Sequence, residues 1–583
     1  MTMRFRAFCA ATMVAAAVAV PVLALSSAAA EAQQSRGRNG LAPSPTGAYL
    51  AGRFASRISD YGTGVVYIDR ALALNPSDTA MQFLAFRMRV AAGRFASAME
   101  LAPRLADQFP NDPIAPLVLA LDAAKRKDYT GAEKALARIP SGTQLGFMRP
   151  YLLAWAKVGQ KDYAAAMASL ESSAPPGPGG KPSAVFLLHS GLVDEIAGRK
   201  EEALRKLTQA YASPDAATVR VAMALAAFHR RNGKPEEAEK VLRAFHDRAP
   251  EFAPLDALLA DRFQRQPTVA DGMSEVLFDV FAALATNAGR NETIEDAAVL
   301  FGRLTVEMRP DYDLARILLG DLFVQNEQHA TALEIYRGVD KASPFSWRTR
   351  LKIALALDQS KRTDEAIGQI KAMIDERRDR ADAAQSLGDL LRAHERFAEA
   401  AKAYEVAVQR TPAPVGRDWP MFYAHGIALE RSDQWDAAEA AFRKALELQP
   451  DQPFVLNYLA YSWIDKGINL REGKEMLERA VRQRPNDGAI VDSLAWAHYR
   501  LGEYPRSVEL LERAVALQST DWTINDHLGD AYWRVGRKLE ARFQWQRALA
   551  LKPDADKVKA VEDKIANGLD EATAPPKPAP SKN

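Results

Sequence analysis

The chain is 583 residues long and carries 76 Lys and Arg against 74 Asp and Glu, so its formal net charge is only +2. That balance gives no global field toward nucleic acid or an acidic surface, and RNA-reading helical repeats are disfavoured on this ground. Hydrophobic residues make up 48% and there is one cysteine, Cys9, so the chain can build packed cores but cannot staple them with an internal disulfide.

Residues 1–32 differ from all that follows. Arg4 and Arg6 precede an apolar stretch from Ala7 to Leu25, and Ala30-Glu31-Ala32 gives an A-x-A arrangement before Gln33. This is the layout of a secretory signal peptide, and its cleavage predicts an exported, periplasmic chain without cysteine. An uncleaved membrane anchor is the competing reading, weakened as a span by the many alanines and Pro21. Residues 33–44 then read as a polar, flexible leader.

From residue 45 the chain reads as helical hairpins. Degenerate units are expected at 45–78, 79–112, 113–144, 145–183, 184–217 and 219–252, several of them marked by Pro76, Pro110 and Pro250 near their ends. An irregular connection at 253–272 closes this N-terminal array of 45–252. An expanded unit follows at about 273–312, with an insertion at Gly289 to Thr293. Regular units run from 313 to 555, and a further helix at about 556–567 ends the C-terminal array of 273–567. The segment 568–583 is a Pro/Ala-rich tail that cannot pack a core.

The regular units share a register. Counting Trp522 as one, Leu528, Gly529, Tyr532, Gly536, Ala541, Trp545, Ala548 and Pro553 occupy positions 7, 8, 11, 15, 20, 24, 27 and 32. The same slots hold Leu387, Gly388, Leu391, Ala400, Tyr404, Ala407 and Pro412, and again Leu319, Gly320, Phe323, Ala332, Tyr336 and Pro344. Small residues at 8 and 20 let the two helices of a unit approach, and large apolar residues at 7, 11 and 24 fill the space around that contact. Glycine at 15 permits a left-handed turn, and proline at 32 stops the second helix. One unit cannot bury its own apolar face, so neighbours must stack.

These residues resemble the tetratricopeptide repeat family, over most of the chain after the leader. The resemblance implies an all-α, right-handed α-solenoid of about fourteen stacked units that binds proteins in the groove lined by the first helix of each unit. Its groove positions 2, 5, 9, 12 and 13 fall here on Asn457, Tyr461 and Ile464, then Asp492, Trp496, Tyr499 and Arg500, then Asp526, Asp530, Trp533 and Arg534. Trp496, Tyr499 and Trp533 have a second reading, as packing between units or against the end helix. Trp463 and Trp545 fall in core slots. The clamp that grips chaperone C-termini needs Lys and Asn at positions 5 and 9, where this chain has Asn457 with Tyr461 and Asp492 with Trp496. It is similar to exported envelope repeat proteins of proteobacteria, which implies a scaffold for an envelope protease, a cell-wall enzyme or an exporter.

Motifs for chemistry are sparse. Gly177 to Lys181 imitates a phosphate loop, but Pro175 takes the first glycine slot and Pro182 follows Lys181. The histidines show no metal-binding spacing, although His498 and His527 lie in neighbouring units. No catalytic set, cofactor, metal or nucleic-acid partner is expected. The reading is a non-catalytic interaction scaffold; the alternatives are an enzyme with a site assembled across repeats and a module that self-associates as a homodimer through its end faces.

Overall fold

The structure is a computed structural model that describes residues 44–140, 142, 146–172, 182–213, 218–248, 265–288 and 292–570. The signal-peptide stretch of 1–32, the leader up to residue 43, most of the Gly/Pro loop near 174–183, most of the connection at 253–272, most of the insertion at 289–293 and the tail beyond 570 lie outside the described residues. All the helical hairpins expected from 45 to 555 are present, and the described chain forms two compact units that divide at Ala366.

In the N-terminal unit the hairpins are α1 (Pro45–Arg57) with α2 (Tyr61–Leu74), and α3 (Thr79–Ala91) with α4 (Phe95–Met99) and α5 (Ala102–Gln108). There the second helix is broken, because Pro103 in the first turn of α5 has no N–H to continue α4. Next come α6 (Ile114–Lys125) with α7 (Tyr129–Ala137), α8 (Arg149–Gly159) with α9 (Tyr163–Glu171), α10 (Ala184–Ile196) with α11 (Lys200–Ala212), and α12 (Val219–Arg231) with α13 (Pro235–Arg248). The expanded unit is α14 (Val269–Asn287) with α15 (Glu292–Met308); α16 (Asp313–Gln325), α17 (His329–Arg337) and α18 (Ser346–Gln359) follow. The division falls within α19 (Thr363–Glu376).

The C-terminal unit stacks α20 (Asp382–Ala393) with α21 (Phe397–Gln409), α22 (Trp419–Glu430) with α23 (Trp435–Leu448), and α24 (Pro453–Lys466) with α25 (Leu470–Gln483). Then come α26 (Gly488–Arg500) with α27 (Tyr504–Leu517), α28 (Trp522–Arg534) with α29 (Lys538–Ala550), and the end helix α30 (Ala555–Asn567).

Slot 15 has the positive φ that its glycine implied, at Gly502 (79°) and Gly536 (84°). Units without glycine adopt the same turn at Glu327, Lys361, Glu395 and Asp433, with φ of 58–63°. An L side chain is strained there, so stacking of the hairpins overrides local preference.

Slot 8 faces slot 24 of its own unit. A Cβ on Gly388 would come within 2.7 Å of the Tyr404 ring, on Gly426 within 2.6 Å of Phe442, and on Gly529 within 2.4 Å of Trp545. These rings are fully buried and form the core of the C-terminal unit. The tip of the slot-24 ring also sets slot 9. Tyr336 donates to Asp321 (2.5 Å), Tyr404 to Asp389 (2.7 Å) and Trp545 Nε1 to Asp530 (2.9 Å), each pair 15 residues apart. Where slot 24 is Phe442, which has nothing to donate, slot 9 is Ile427.

The long pair α14/α15 does not simply continue the stack. It lies against the first helices of earlier hairpins in its own unit. Ser59 Oγ donates to Glu295 and the Tyr61 hydroxyl to Asp296, both at 2.5 Å, and Arg303 Nε donates to the Ala91 carbonyl at 3.0 Å. Lys125 pairs with Glu307, and Arg220 with both Glu275 and Asp279. Gly272 lies so close to Trp155 that a Cβ there would enter the indole, 1.9 Å from its nearest atom. The indole N–H of Trp155 can only donate, so His189 accepts at Nδ1 (3.1 Å) and carries its proton on Nε2, facing Asp279 (3.3 Å). Burial alone would raise the Asp279 carboxyl, but Arg220 and His189 hold it below the ordinary range.

Candidate protein-binding seam and cavity

The residues carried over from the family groove converge in one seam across α24, α26, α28 and α30, and most of them are buried. Their polar contacts join residues about one repeat apart. Asp492 accepts from His527 Nδ1 at 2.9 and 3.1 Å, 35 residues on. Arg534 Nε donates to the Tyr499 hydroxyl (3.2 Å) and Arg500 to the Asp465 carbonyl (3.1 Å), each also across 35 residues. Lys564 of α30, 34 residues after Asp530, reaches Asp526 at 2.7 Å and Asp530 at 2.9 Å.

Aromatic stacking runs along the same line. Trp496 lies parallel to Tyr499, with centroids 4.5 Å apart and planes 6° apart, and to His527 at 4.0 Å and 10°. Burial depresses an imidazolium, but Asp492, Asp526 and Asp530 outweigh it and raise the His527 pKa above its ordinary value. Burial, with Asp465 and Asp492 nearby, drives the Tyr461 phenol far up, and burial with Asp530 takes Tyr499 to about 12. Burial also raises the Asp530 carboxyl, with Lys564 opposing.

The seam residues therefore have unequal access to a partner. Asn457, Tyr461, Asp492, Trp496, Tyr499, Asp526 and Asp530 are all below 10% exposed, and Tyr461 and Trp496 are at 5% and 9%. Arg500, Trp533 and Arg534 keep partial exposure. Even there, Trp533 Nε1 donates to the Leu569 carbonyl (3.2 Å) and Arg534 to the Asp570 carbonyl (3.2 Å), so the segment after α30 lies over this end of the seam. Packing between units and against the end helix, the second reading of Trp496, Tyr499 and Trp533, describes their position. The two histidines of neighbouring units do not meet: His498 pairs with Glu503 at 2.5 Å, and His527 with Asp492.

Sequence reasoning passed over Lys564 and Asp465, and it named His527 without its partner Asp492. The signal for Lys564 was present, since it is the slot-9 residue of the unit begun by the end helix, directly after Asp530 in the ladder. Among the described residues no cluster of three or more His, Cys, Asp or Glu side chains has the geometry to hold a metal ion. Several buried polar atoms in the seam have no hydrogen-bond partner among the described residues: Asn457 Oδ1, Trp496 Nε1, Asp526 Oδ1 and His527 Nε2.

The N-terminal unit offers an open site instead. A cavity of about 670 Å³ lies between α1, α3 and α15, lined by Tyr49, Arg53, Met81, Leu84, Arg87 and Leu300 among others. The nearest carboxylate to Arg87 that forms an ion pair is Asp112, at 3.8 Å, while its guanidinium leans over Phe83 at 5.9 Å. Tyr61 and Asp296 bond to each other in the cavity wall, and burial together with Asp296 pushes the Tyr61 phenol far above its ordinary value. A second cavity of about 370 Å³ between α10, α12, α14 and α16 is charge-balanced: Arg220, Arg231, Arg265 and Arg309 face Asp271, Glu275, Asp311 and Asp313.

Residues 351–413, 423–488, 468–522 and 493–556 match the tetratricopeptide repeat family. The chain is 26% identical over 192 residues to a TPR repeat-containing protein of Pseudomonas aeruginosa, and 25% identical over 183 residues to the human protein O-mannosyl-transferase TMTC1. These alignments take in 33% and 30% of this chain, and the chain spans only 32% and 20% of the length of those relatives. Among solved structures it is similar to the Cut9–Hcn1 hetero-tetramer of APC/C, at TM-score 0.36 and 13% identity over 94% of this chain and 99% of that one. Yeast Tom70 gives TM-score 0.31 and 13% identity over 90% and 95%. Residues 351–413 and 423–556 therefore carry tetratricopeptide repeats, and the helical hairpins before them keep the same all-α arrangement.

Proposed function

We propose that this chain is an exported, non-catalytic scaffold of the cell envelope that holds partner proteins on the concave side of its repeats. The observation that carries the reading is the open cavity beside α1 and α3. Tyrosine, methionine and arginine, residue types that interface hot spots use, line it together with Asp78 and Asp296. A partner segment with a bulky apolar side chain and a nearby carboxylate fits it: the side chain on Met81, Leu84 and Leu300, the carboxylate between Arg53 and Arg87. The partly exposed Arg500, Trp533 and Arg534 are a second contact surface, and their partial exposure is the reason for keeping it. Residues Arg4 to Ala32, in signal-peptide order, support export, and an envelope protease, a cell-wall enzyme or an exporter is the class of partner the reading calls for.

The test is a crosslinked pull-down from envelope extract with residues 33–583, the double variant Arg53→Ala/Arg87→Ala and Trp533→Ala in parallel. One enriched partner, lost in the double variant at unchanged melting temperature, is the expected result. The same partner recovered by every variant would move the binding surface elsewhere. An intact N-terminus on protein recovered from the periplasm would end the claim of leader cleavage.

A further inference from the structure

We propose that Gly568 to Asp570, the residues that follow α30, are a resident strap on the Trp533–Arg534 surface, and that a partner peptide binds there by displacing it. The inference rests on the reading of that surface as a second contact site. The strap is held through its backbone. Trp533 Nε1 donates to the Leu569 carbonyl, Arg534 to the Asp570 carbonyl, and Arg542 Nε to the Ile565 carbonyl in the last turn of α30, each at 3.2 Å. Backbone carbonyls are what any extended segment offers, whatever its side chains. Leu569 is half-buried and Asp570 exposed, so little apolar area ties the strap down.

The repeat register explains why the strap sits where it does. Inside the array, Tyr499 is met 35 residues on by Arg534 of the next unit. The residue at the same interval after Trp533 is Gly568, where α30 stops. Among the described residues no helix follows α30, so the strap takes the position that a continuing repeat would fill.

Gly568 sets the path of the strap. Its N–H donates to the Lys564 carbonyl at 2.8 Å, and a φ of 75° with a ψ of −167° turns the chain out of α30 and back over α28. That combination is open essentially to glycine alone. A Cβ there would also lie 2.0 Å from the Trp533 ring. Two cations lie over the same ring, Lys538 at 5.1 Å and Arg542 at 5.2 Å from its centroid. The partner that fits is therefore an extended peptide with a glycine against the indole and a carboxylate soon after it, as Asp570 follows here.

The experiment is an NMR measurement on residues 33–583 with isotope-labelled tryptophan indoles. The nine tryptophans give nine indole N–H signals, and Trp533→Phe identifies the one that bonds to Leu569. Gly568→Ala should free this N–H and raise its exchange with solvent about tenfold or more, with melting unchanged. The amidated peptide Ala-Asn-Gly-Leu-Asp, residues 566–570, should then return the signal toward its parent position. It should bind Gly568→Ala at least about tenfold more tightly than the parent, whose own strap competes, and the same peptide with alanine for glycine should not bind. Arg534→Gln leaves the glycine and the helix end intact; it should give a smaller shift in the same direction, and it decides the matter if Gly568→Ala loosens α30. An indole signal unmoved by either variant, a freed indole that the peptide does not restore, or equal binding to variant and parent overturns the proposal. If Trp533→Ala loses no partner while the strap responds as expected, the contact-site reading fails and the strap stands. A strap that does not respond while Trp533→Ala loses a partner removes this inference alone.

Discussion

Replacing Trp545 by alanine tests the register on which the C-terminal unit is built. The indole is fully buried, lies against Gly529 so closely that no Cβ fits between them, and donates to Asp530 at 2.9 Å. Removing it forfeits the transfer energy of the ring and leaves a cavity between α28 and α29, together about 3–5 kcal/mol. Trp545→Phe keeps most of the apolar volume and loses the N–H. Asp530 retains Lys564 at 2.9 Å, so that loss should sit near the low end of a charged hydrogen bond, about 1–2 kcal/mol. Urea unfolding of residues 33–583 gives the midpoints, and amide exchange across 522–550 shows whether the loss is local to the last repeats. If the alanine variant loses less than about 1 kcal/mol, or if the two variants are equal, the slot-24 packing argument is wrong.

Two histidines of the C-terminal unit set opposing pH limits. His527 has a raised folded pKa, so its contribution is full below its ordinary 6.5 and is lost as pH rises through the folded value. His425 is lowered by burial to about 4, so its contribution is lost as pH falls from 6.5 toward 4; melting temperature should peak near pH 6.5, and His527→Gln should flatten only the alkaline side. Lys564→Met leaves Asp526 and Asp530 buried without their cation and should cost about 3–5 kcal/mol near neutral pH, with part of the loss recovered on acidification as a carboxylate takes up a proton. No recovery between pH 7.5 and 5 would show that the pair is not charged in the parent. Gly272→Ala drives a methyl into Trp155 and should destabilise the N-terminal unit by at least about 1–3 kcal/mol, read by amide exchange in α8 and α14. Glu395→Gly relieves a left-handed residue and should stabilise by up to about 1 kcal/mol, less the entropy glycine adds to the unfolded chain; a lowered melting temperature would mean its side chain contributes more than the strain costs.

The hairpins were legible because they are local. Slots 8, 15, 20 and 24 act within one unit, through a close helix contact, a turn and a ring, and each leaves a residue-type signature 34 residues apart. The groove was less legible, because a position on the concave side of one hairpin says nothing of what the neighbouring hairpin brings to it. Asp530 shows the difference. By position it is a groove residue, yet its slot-24 partner is a tryptophan with an N–H to satisfy, and the next unit supplies Lys564. The alternation of slot 9 with slot 24, Asp with Tyr or Trp and Ile with Phe, was already in the sequence and would have assigned Asp530 to the core.

The sequence by itself determined the all-α repeat class, the length and register of the hairpins, and the placement of Trp463 and Trp545 inside them. Only the tertiary structure decided that Tyr461, Asp492, Trp496 and Asp526 close against one another, and that α14 and α15 lie over the first helices of the earlier hairpins. The same pair also reaches the turn into α2, where Ser59 bonds Glu295 and Tyr61 bonds Asp296, 236 and 235 residues apart. A repeat pattern encodes what a unit needs from its immediate neighbour. It has no term for a pairing between distant units, which depends on the angles accumulated over every intervening hairpin.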